Sequence, residues 1–417
     1  MRNTKSPFCT NGLTGSVVLA QNGLILLSHF KAVGQRSSDI CLLYTTEHPF
    51  SISTMHHFFF RPFLNGLVCF ALLHTAEVVA QEPNYESAEK TVDLEAFQPR
   101  ILDLSKDLNI IAFGSCNKIN LPQNHWADVV ANRPDLWIWL GDIVYADTTD
   151  ARALAAHYKR LKTHPEYRKL RDKTPIIGIY DDHDYGTNDG GKGMPNKRAA
   201  KKCLLDFLDV PYSDPVRKRE GAYQAYLFGK PPRQIKIIVL DTRYFRDTLL
   251  PDPDPNRRYF PNLEGDILGE VQWAWLEKEL THSPASLHLL VSSIQVLPNE
   301  HGHEKWGNFP NARKRLFQLL VKTQPANLLI LSGDRHMAEI SKMDLQGLPY
   351  PLYEFCSSGL THVRNGQEEP NRLRIGPMVV KRNFGLLKIS WEKERPVVGM
   401  EVRGLQNELF FEHTVRY

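Results

Sequence analysis

Four short apolar runs in this chain each end abruptly in a knot of metal-seeking side chains: FGSCN at Phe113–Asn117, GDIVYAD at Gly141–Asp147, YDDHDYG at Tyr180–Gly186 and SGDRH at Ser332–His336. The runs themselves, Ile110–Phe113, Leu136–Leu140, Ile176–Tyr180 and Leu328–Leu331, have the length and continuous hydrophobicity of buried strands. That pattern assigns the α/β class. It also predicts that the four knots converge at the carboxyl ends of the strands of one sheet, where open α/β folds place their ligands. A single carboxylate at a strand end is ordinary, but four converging clusters point to a metal site.

Between these strands the chain alternates in period. Helical spacing marks Trp126–Ala131, Ala151–Thr163, Lys197–Leu208, Ile267–His282 and Ala312–Thr323, while Ile235–Leu240 and Leu287–Val291 read as further buried strands. Pro165 and Pro175 punctuate the approach to the strand at Ile176, and the Gly-rich stretch Asn188–Asn196 is a loop hanging beside DDHD. The tail, with Leu352–Cys356, Phe384–Trp391 and Val397–Val402, reads as antiparallel strands. No linker interrupts Ile110–Trp391, so residues 108–417 are expected to form one large domain.

Lys and Arg number 51 against 47 Asp and Glu, and the small surplus is spread along the chain. With no basic stripe, nothing argues for a nucleic-acid-binding module. The first 80 residues differ in character. Their apolar stretches fall short of the roughly 20 residues a membrane span needs. Residues 55–80 carry the parts of a secretory signal in order: Met55 and Arg61, an apolar core Phe63–Leu73, then Val78, Val79 and Ala80 before a cleavage point at Gln81. The expectation is a secreted or periplasmic protein with no transmembrane segment in the mature chain, residues 1–54 being an untranslated or spurious extension and 81–107 a polar, flexible tether. Only Cys116, Cys203 and Cys356 then remain, an odd number, so at least one is unpaired; Cys203 and Cys356 are the candidates for a pair.

Each knot allows definite chemistry. Asp142 follows a glycine at a strand end, where one carboxylate can bridge two metals. Tyr145 offers a phenolate suited to ferric iron and Cys116 a thiolate suited to transition metals, so the pair favours iron over magnesium. The plainer readings are a small buried hydrophobe for Cys116 and a packed aromatic for Tyr145. In DDHD the carboxylates of Asp181, Asp182 and Asp184 repel one another unless cations or protons offset them, and His183 in their midst is a candidate to bind a phosphoryl oxygen or protonate a leaving alkoxide. The alternative is a solvated acidic turn. Asp334 and His336 stand two apart, with the planar donor fork of Arg335 between them matched to phosphate oxygens; a salt-bridged loop is the alternative. Gln295 and Asn188 are further neutral oxygen donors. An oxygen-rich set suits calcium beside the iron, and it has too few His and Cys for zinc.

These residues resemble the alkaline phosphatase D (PhoD-like) family of metallophosphatases over about residues 109–339. The motifs that carry the likeness recur in order: GSCN, GDIVYAD, DDHDYG with Asn188 and Asp189, LDTRYFR at Leu240–Arg246, the helix Gln272–Leu276, SSIQVLP at Ser292–Pro298, and SGDRH. The resemblance implies a calcineurin-like metallophosphoesterase, a four-layer αββα sandwich of two mixed sheets flanked by helices. It implies iron and calcium at the strand ends, other divalent metals being possible substitutes, with Cys116, Asp142 and Tyr145 matching the iron-side motifs and Asp182, Asn188, Asp334 and His336 the rest of the site. The function so implied is hydrolysis of phosphomonoesters by metal-activated water, with His183 and Arg335 catalytic and Arg335 and Gln295 binding substrate. One alternative is a phosphodiesterase acting on teichoic acid, phospholipid or nucleotide diesters, the partners in either case being phosphoester small molecules or polymers. Another is a non-catalytic calcium-binding surface protein, against which Cys116, His183 and Arg335 speak, since structural calcium needs none of them.

Overall fold

A computed structural model describes residues 100–417, Gln367 excepted, together with the backbone of an antiparallel hairpin, β1 (Thr14–Gln21) and β2 (Leu24–Lys31), in a separate unit Met1–Ala80. The expected signal at 55–80 and most of the tether at 81–107 lie outside the described residues, as does the rest of the extension 1–54 beyond that hairpin. Residues 100–107 form no helix or strand, yet they are held down: Arg100 N donates to Asp209 O at 3.0 Å and Leu104 O accepts from Gly229 N at 2.9 Å.

Along the chain follow β3 (Ile110–Gly114), α1 (His125–Ala131), β4 (Leu136–Leu140), α2 (Ala151–Lys162), α3 (Pro165–Arg171), β5 (Ile176–Ile179), α4 (Asp182–Tyr185) and α5 (Lys197–Phe207). Next come β6 (Gln224–Phe228), β7 (Ile235–Val239), the short pair β8 (Leu250–Pro251) and β9 (Tyr259–Phe260), α6 (Gly269–Leu280), β10 (Leu287–Ser292), α7 (Pro310–Thr323) and β11 (Leu328–Ser332). The chain ends with β12 (Ala338–Met343), β13 (Leu352–Ser357), β14 (Arg374–Val379), β15 (Asn383–Glu392), β16 (Arg395–Gly404) and β17 (Leu409–Arg416).

The strands form two mixed sheets, ordered β17-β16-β15-β3-β4-β5 and β14-β12-β13-β11-β10-β7-β6. In the first, β3, β4 and β5 run parallel and the rest antiparallel; in the second, β7, β10, β11 and β13 are parallel. The four knots therefore do not lie on one sheet, as the strand pattern alone suggested. Three leave β3, β4 and β5 of one sheet and the fourth leaves β11 of the other, so the site is assembled across the sandwich.

Side-chain alternation sorts the layers. In β10 and β11, Leu289, Val291, Leu329 and Leu331 join the core shared with the first sheet, where the Phe113 and Phe355 rings meet edge to face at 4.9 Å. Leu290, Leu328 and Ile330 point the other way, onto Trp273, Leu276, Leu316 and Leu320 of α6 and α7. On the far side, Trp137 and Trp139 of β4 pack against Trp126 of α1, and Trp139 against Tyr167 of α3, with centroids 5.2–6.0 Å apart. Burying each such large apolar side chain stabilises by roughly 1.5–3 kcal/mol relative to exposure. This is the four-layer αββα arrangement the resemblance implied.

Pro165, read as punctuation, is the first residue of α3, where its missing N–H costs nothing. Edge strands β6, β14 and β17, and β12 next to one of them, escaped the sequence reading because they are half polar or interrupted. No helix among the described residues is long and apolar enough to cross a membrane.

Candidate metal centre

Two glycines allow the strand ends to meet. A Cβ on Gly141 would lie 2.4 Å from Asp181 Cβ, and one on Gly333 would lie 2.6 Å from Leu140 O and 2.7 Å from Ser115 Oγ. Larger residues at either position would prise the knots apart. Beside them the backbone turns sharply through non-glycine residues at positive φ: Cys116 (62°), Asp142 (46°), Asp334 (70°) and His336 (52°). Each such residue costs on the order of 1 kcal/mol or more, a strain that clusters where function requires it.

These turns bring together three overlapping sets of ligand atoms, each set within 4.8 Å: Cys116, Asp142 and His336; Asp142, Asp182 and His183; and Asp181, Asp182 and Asp334. Asp142 and Asp182 are each shared by two sets, the arrangement adjacent cations need. Tyr145 joins the first set. Its hydroxyl donates to Asp142 Oδ2 at 2.9 Å and lies 2.8 Å from His336 Nε2, while Cys116 Sγ lies 3.4 Å from Asp142 Oδ2.

The fit to cations rests on what these groups lack. Asp142 Oδ1, Asp181 Oδ2 and Asp182 Oδ1 are buried without any hydrogen-bond partner. Buried polar atoms are ordinarily paired, and a buried unpaired carboxylate oxygen is the costliest exception. Burial, and after it the neighbouring carboxylates, push Asp142 well above the ordinary carboxylate range. Burial does the same to Asp334, with Asp181 and Asp182 adding to it against Arg335. Burial and then Asp142 raise the Cys116 thiol, and burial drives His336 down to about 3. Cations among these atoms would reverse each penalty, holding the acids and thiol ionised and the imidazole neutral, the forms that ligate.

DDHD opens a single helical turn, α4, with Asp181 as its N-cap, rather than an irregular turn, and its acids have different fates. Asp184 is structural: Oδ1 accepts from Asp181 N at 2.7 Å, and Oδ2 accepts from Ile143 N and Tyr158 Oη, both at 3.0 Å. It fastens the GDIVYAD loop to α4. Asp182 accepts from Asp189 N at 2.7 Å; burial would raise its pKa, but Arg243, His183 and backbone donors outweigh it and hold it low. His183 stacks on Tyr145 at 4.2 Å, with Nδ1 2.5 Å from Asp147 Oδ1, which leaves Nε2 for chemistry.

Three expected residues stand differently. Asn188 is exposed and its amide donates to Asp189 Oδ2 at 2.7 Å; among the described hydrogen bonds none joins it to the carboxylate cluster. Gln295 is buried and donates to Glu339 Oε1 at 2.8 Å, in a network continued by Arg374. Arg335 adjoins Asp334 at 3.8 Å, but its fork grips Glu369 at 2.7 and 2.9 Å.

Two contributors were missed. Asp181 was not singled out among its neighbouring acids. Arg243, wholly buried, donates to Asp181 Oδ1 at 2.5 Å and to Glu304 Oε2 at 2.6 Å, holding Asp181 so that its other oxygen stays unpartnered. Its signal was the LDTRYFR strand end, which the sequence reading located without assigning it work. Cys203 and Cys356 are free thiols and form no pair.

With this geometry in view, the comparisons are specific. The family model for PhoD-like phosphatases matches residues 111–385. Alkaline phosphatase D of Bacillus subtilis (strain 168) is 24% identical over 233 residues, covering 47% of this chain and 37% of that protein, so this chain spans well under half the length of that curated relative. The solved structure of PhoD superposes with a TM-score of 0.60 at 17% identity, covering 76% of this chain and 70% of that one. Purple acid phosphatase PPD1 from yellow lupin (Lupinus luteus) seeds follows with a TM-score of 0.51 at 11% identity, covering 75% and 54%. The two structures support the shared sandwich, and the family model, matching most of the folded region and all four knots, establishes that the chain belongs to the PhoD-like phosphatase family.

Proposed function

We propose that this chain is a secreted, metal-dependent hydrolase releasing phosphate from phosphomonoesters, as the name of its relative alkaline phosphatase D suggests. The observation that carries the reading is the trio of buried carboxylate oxygens without partners, on Asp142, Asp181 and Asp182, beside Cys116, Tyr145 and His336. Cys116, Asp142 and Tyr145, with His336 beside them, would hold iron, and Asp181, Asp182 and Asp334 would hold calcium or another divalent ion, which Asn188 would join only by turning from Asp189. Such ions supply Lewis acidity to phosphoryl oxygens and make a water acidic enough to attack phosphorus.

The chain's own residues do the remainder. His183, fixed through Nδ1 by Asp147 and through its ring face by Tyr145, delivers a proton from Nε2 to the departing oxygen. Arg335 holds the phosphoryl group once its grip on Glu369 loosens. Monoesters would be favoured over diesters because a dianion gains more than a monoanion from the cations held by the cluster and from Arg335.

The test is phosphate release from phenyl phosphate by purified full-length protein, with metal content measured in parallel. Release should be chelator-sensitive, accompanied by visible absorption from thiolate or phenolate on ferric iron, and at least about tenfold faster than release from a matched diester. Faster diester turnover would overturn the monoester assignment, and full activity in a Cys116→Ala, Asp142→Ala double variant would overturn the metal mechanism. For secretion, the mature N-terminus should be Gln81 or a close neighbour; a mature chain starting at Met1 would refute it.

A further inference from the structure

In the segment Glu300–Lys305 between β10 and α7 only Glu304, which holds Arg243, has a part in the chemistry above, yet the segment carries two side chains whose state is unexplained. His301 is 5% exposed and neither ring nitrogen has a hydrogen-bond partner. Lys305 is 6% exposed, and its ammonium makes one hydrogen bond, to His303 O at 3.0 Å, with no carboxylate within ion-pair distance among the described residues. An imidazole with no partner and an ammonium with one hydrogen bond and no ion pair, buried four residues apart in one segment, are expensive unless a ligand completes them.

Their surroundings say what kind of ligand. The His301 and His303 rings lie 6.2 Å apart, and Arg258 Nη1 is 2.6 Å from His303 Nδ1. Glu369 is the carboxylate on this rim, and it is already engaged by Arg335 and Arg364, with His303 Nε2 at 3.5 Å. Glu304, which also acts on Lys305, is taken by Arg243 and Arg246. Positive charge therefore remains in excess. Arg335 links this rim to Asp334 of the metal cluster, so the two places adjoin.

We infer that His301 and Lys305 form a second anion subsite beside the metal cluster, selecting phosphoesters whose leaving group carries a further carboxylate or phosphate. The inference rests on the phosphoester reading and refines it. Lys305 Nζ supplies charge and a ring N–H of His301 a directed donor; neither touches the phosphorus undergoing attack. Both are positioning groups, expressed in recognition of the substrate's far end.

The experiment compares phenyl phosphate, 4-carboxyphenyl phosphate and 1,4-phenylene bisphosphate as substrates of the metal-loaded full chain. The second anion should raise kcat/KM by about tenfold or more, as charge-assisted hydrogen bonds predict. Lys305→Met and His301→Leu should each bring the ratio toward one while leaving phenyl phosphate turnover within about twofold, and Lys305→Arg should retain part of the preference. Which anion gains more distinguishes carboxylate from phosphate. Equilibrium binding of benzylphosphonate against 4-carboxybenzylphosphonate reads the subsite without turnover. A preference there that Lys305→Met abolishes supports the subsite even if no ester is cleaved, in which case the hydrolase reading alone fails. A ratio near one in the unsubstituted protein, or one unchanged in both Lys305→Met and His301→Leu, overturns the inference.

Discussion

Two buried acidic places in this molecule are built on opposite plans. At Asp209, burial is matched group for group: Oδ1 accepts from Lys162 Nζ at 2.6 Å, Oδ2 from Arg171 Nη2 at 2.5 Å, and Asp209 O from Arg100 N. That node ties α2, α3 and the segment entering the domain together. At the strand ends, Asp142, Asp181, Asp182 and Asp334 are gathered more tightly than repulsion favours, and three oxygens are left without partners. A chain that completes one buried acid and leaves three others incomplete carries a group of acids fitted to something it binds. Asp184, one residue from that cluster in sequence yet fully hydrogen-bonded, marks the border between the plans.

The comparison can be broken by substitution on each side. Asp142→Ala should cut phosphate release by about a thousandfold or more, because it removes the oxygens shared by two ligand sets; the checks are turnover and metal content, and a folded, metal-replete, active variant would break the contrast. Asp209→Ala should do the reverse. Leaving Lys162 and Arg171 without their carboxylate should cost about 3–5 kcal/mol in urea unfolding while metal content stays normal.

Smaller effects sharpen the picture. Tyr145→Phe keeps the ring beside His183 but loses the hydroxyl between Asp142 and His336, so activity should fall about tenfold and any phenolate part of the visible absorption should go, leaving only what the Cys116 thiolate contributes. The pH dependence of the stripped protein isolates the repulsion. Burial, then neighbouring acids, raise the folded-state pKa of Asp142 above its ordinary 3.8. A group so shifted contributes stability that is complete below the unfolded pKa and is lost as pH rises through the folded one. Asn cannot ionise, so with both proteins chelated, Asp142→Asn should gain on the unsubstituted chain in thermal melts as pH climbs from about 4 toward 8. A constant gap would mean Asp142 titrates as it does unfolded.

Much of the architecture was legible because it is written locally. The β4 run Leu136–Leu140 is a strand over the same five residues, and α2, α5 and α7 match their helical spacing to within a residue or two. Ligand types were legible for the same reason, since each knot directly follows its strand. What stayed hidden depends on contacts distant in sequence. Arg335, expected free for phosphate, is held by Glu369, 34 residues on; Gln295 turns to Glu339, 44 residues away; Asp181 is shaped by Arg243, 62 residues later. No local pattern reports such pairings.

The sequence by itself determined which strands are buried, where their polar ends fall, and that thiolate, phenolate, imidazole and carboxylate would be offered there, because periodicity and strand-end position are properties of neighbouring residues. Tertiary structure alone decided that the knots meet across two sheets rather than along one. It also decided which acids are completed and which are left open, and that His301 lies buried without a partner and Lys305 buried without an ion pair. Those outcomes depend on packing, which selects the partner each buried charge receives.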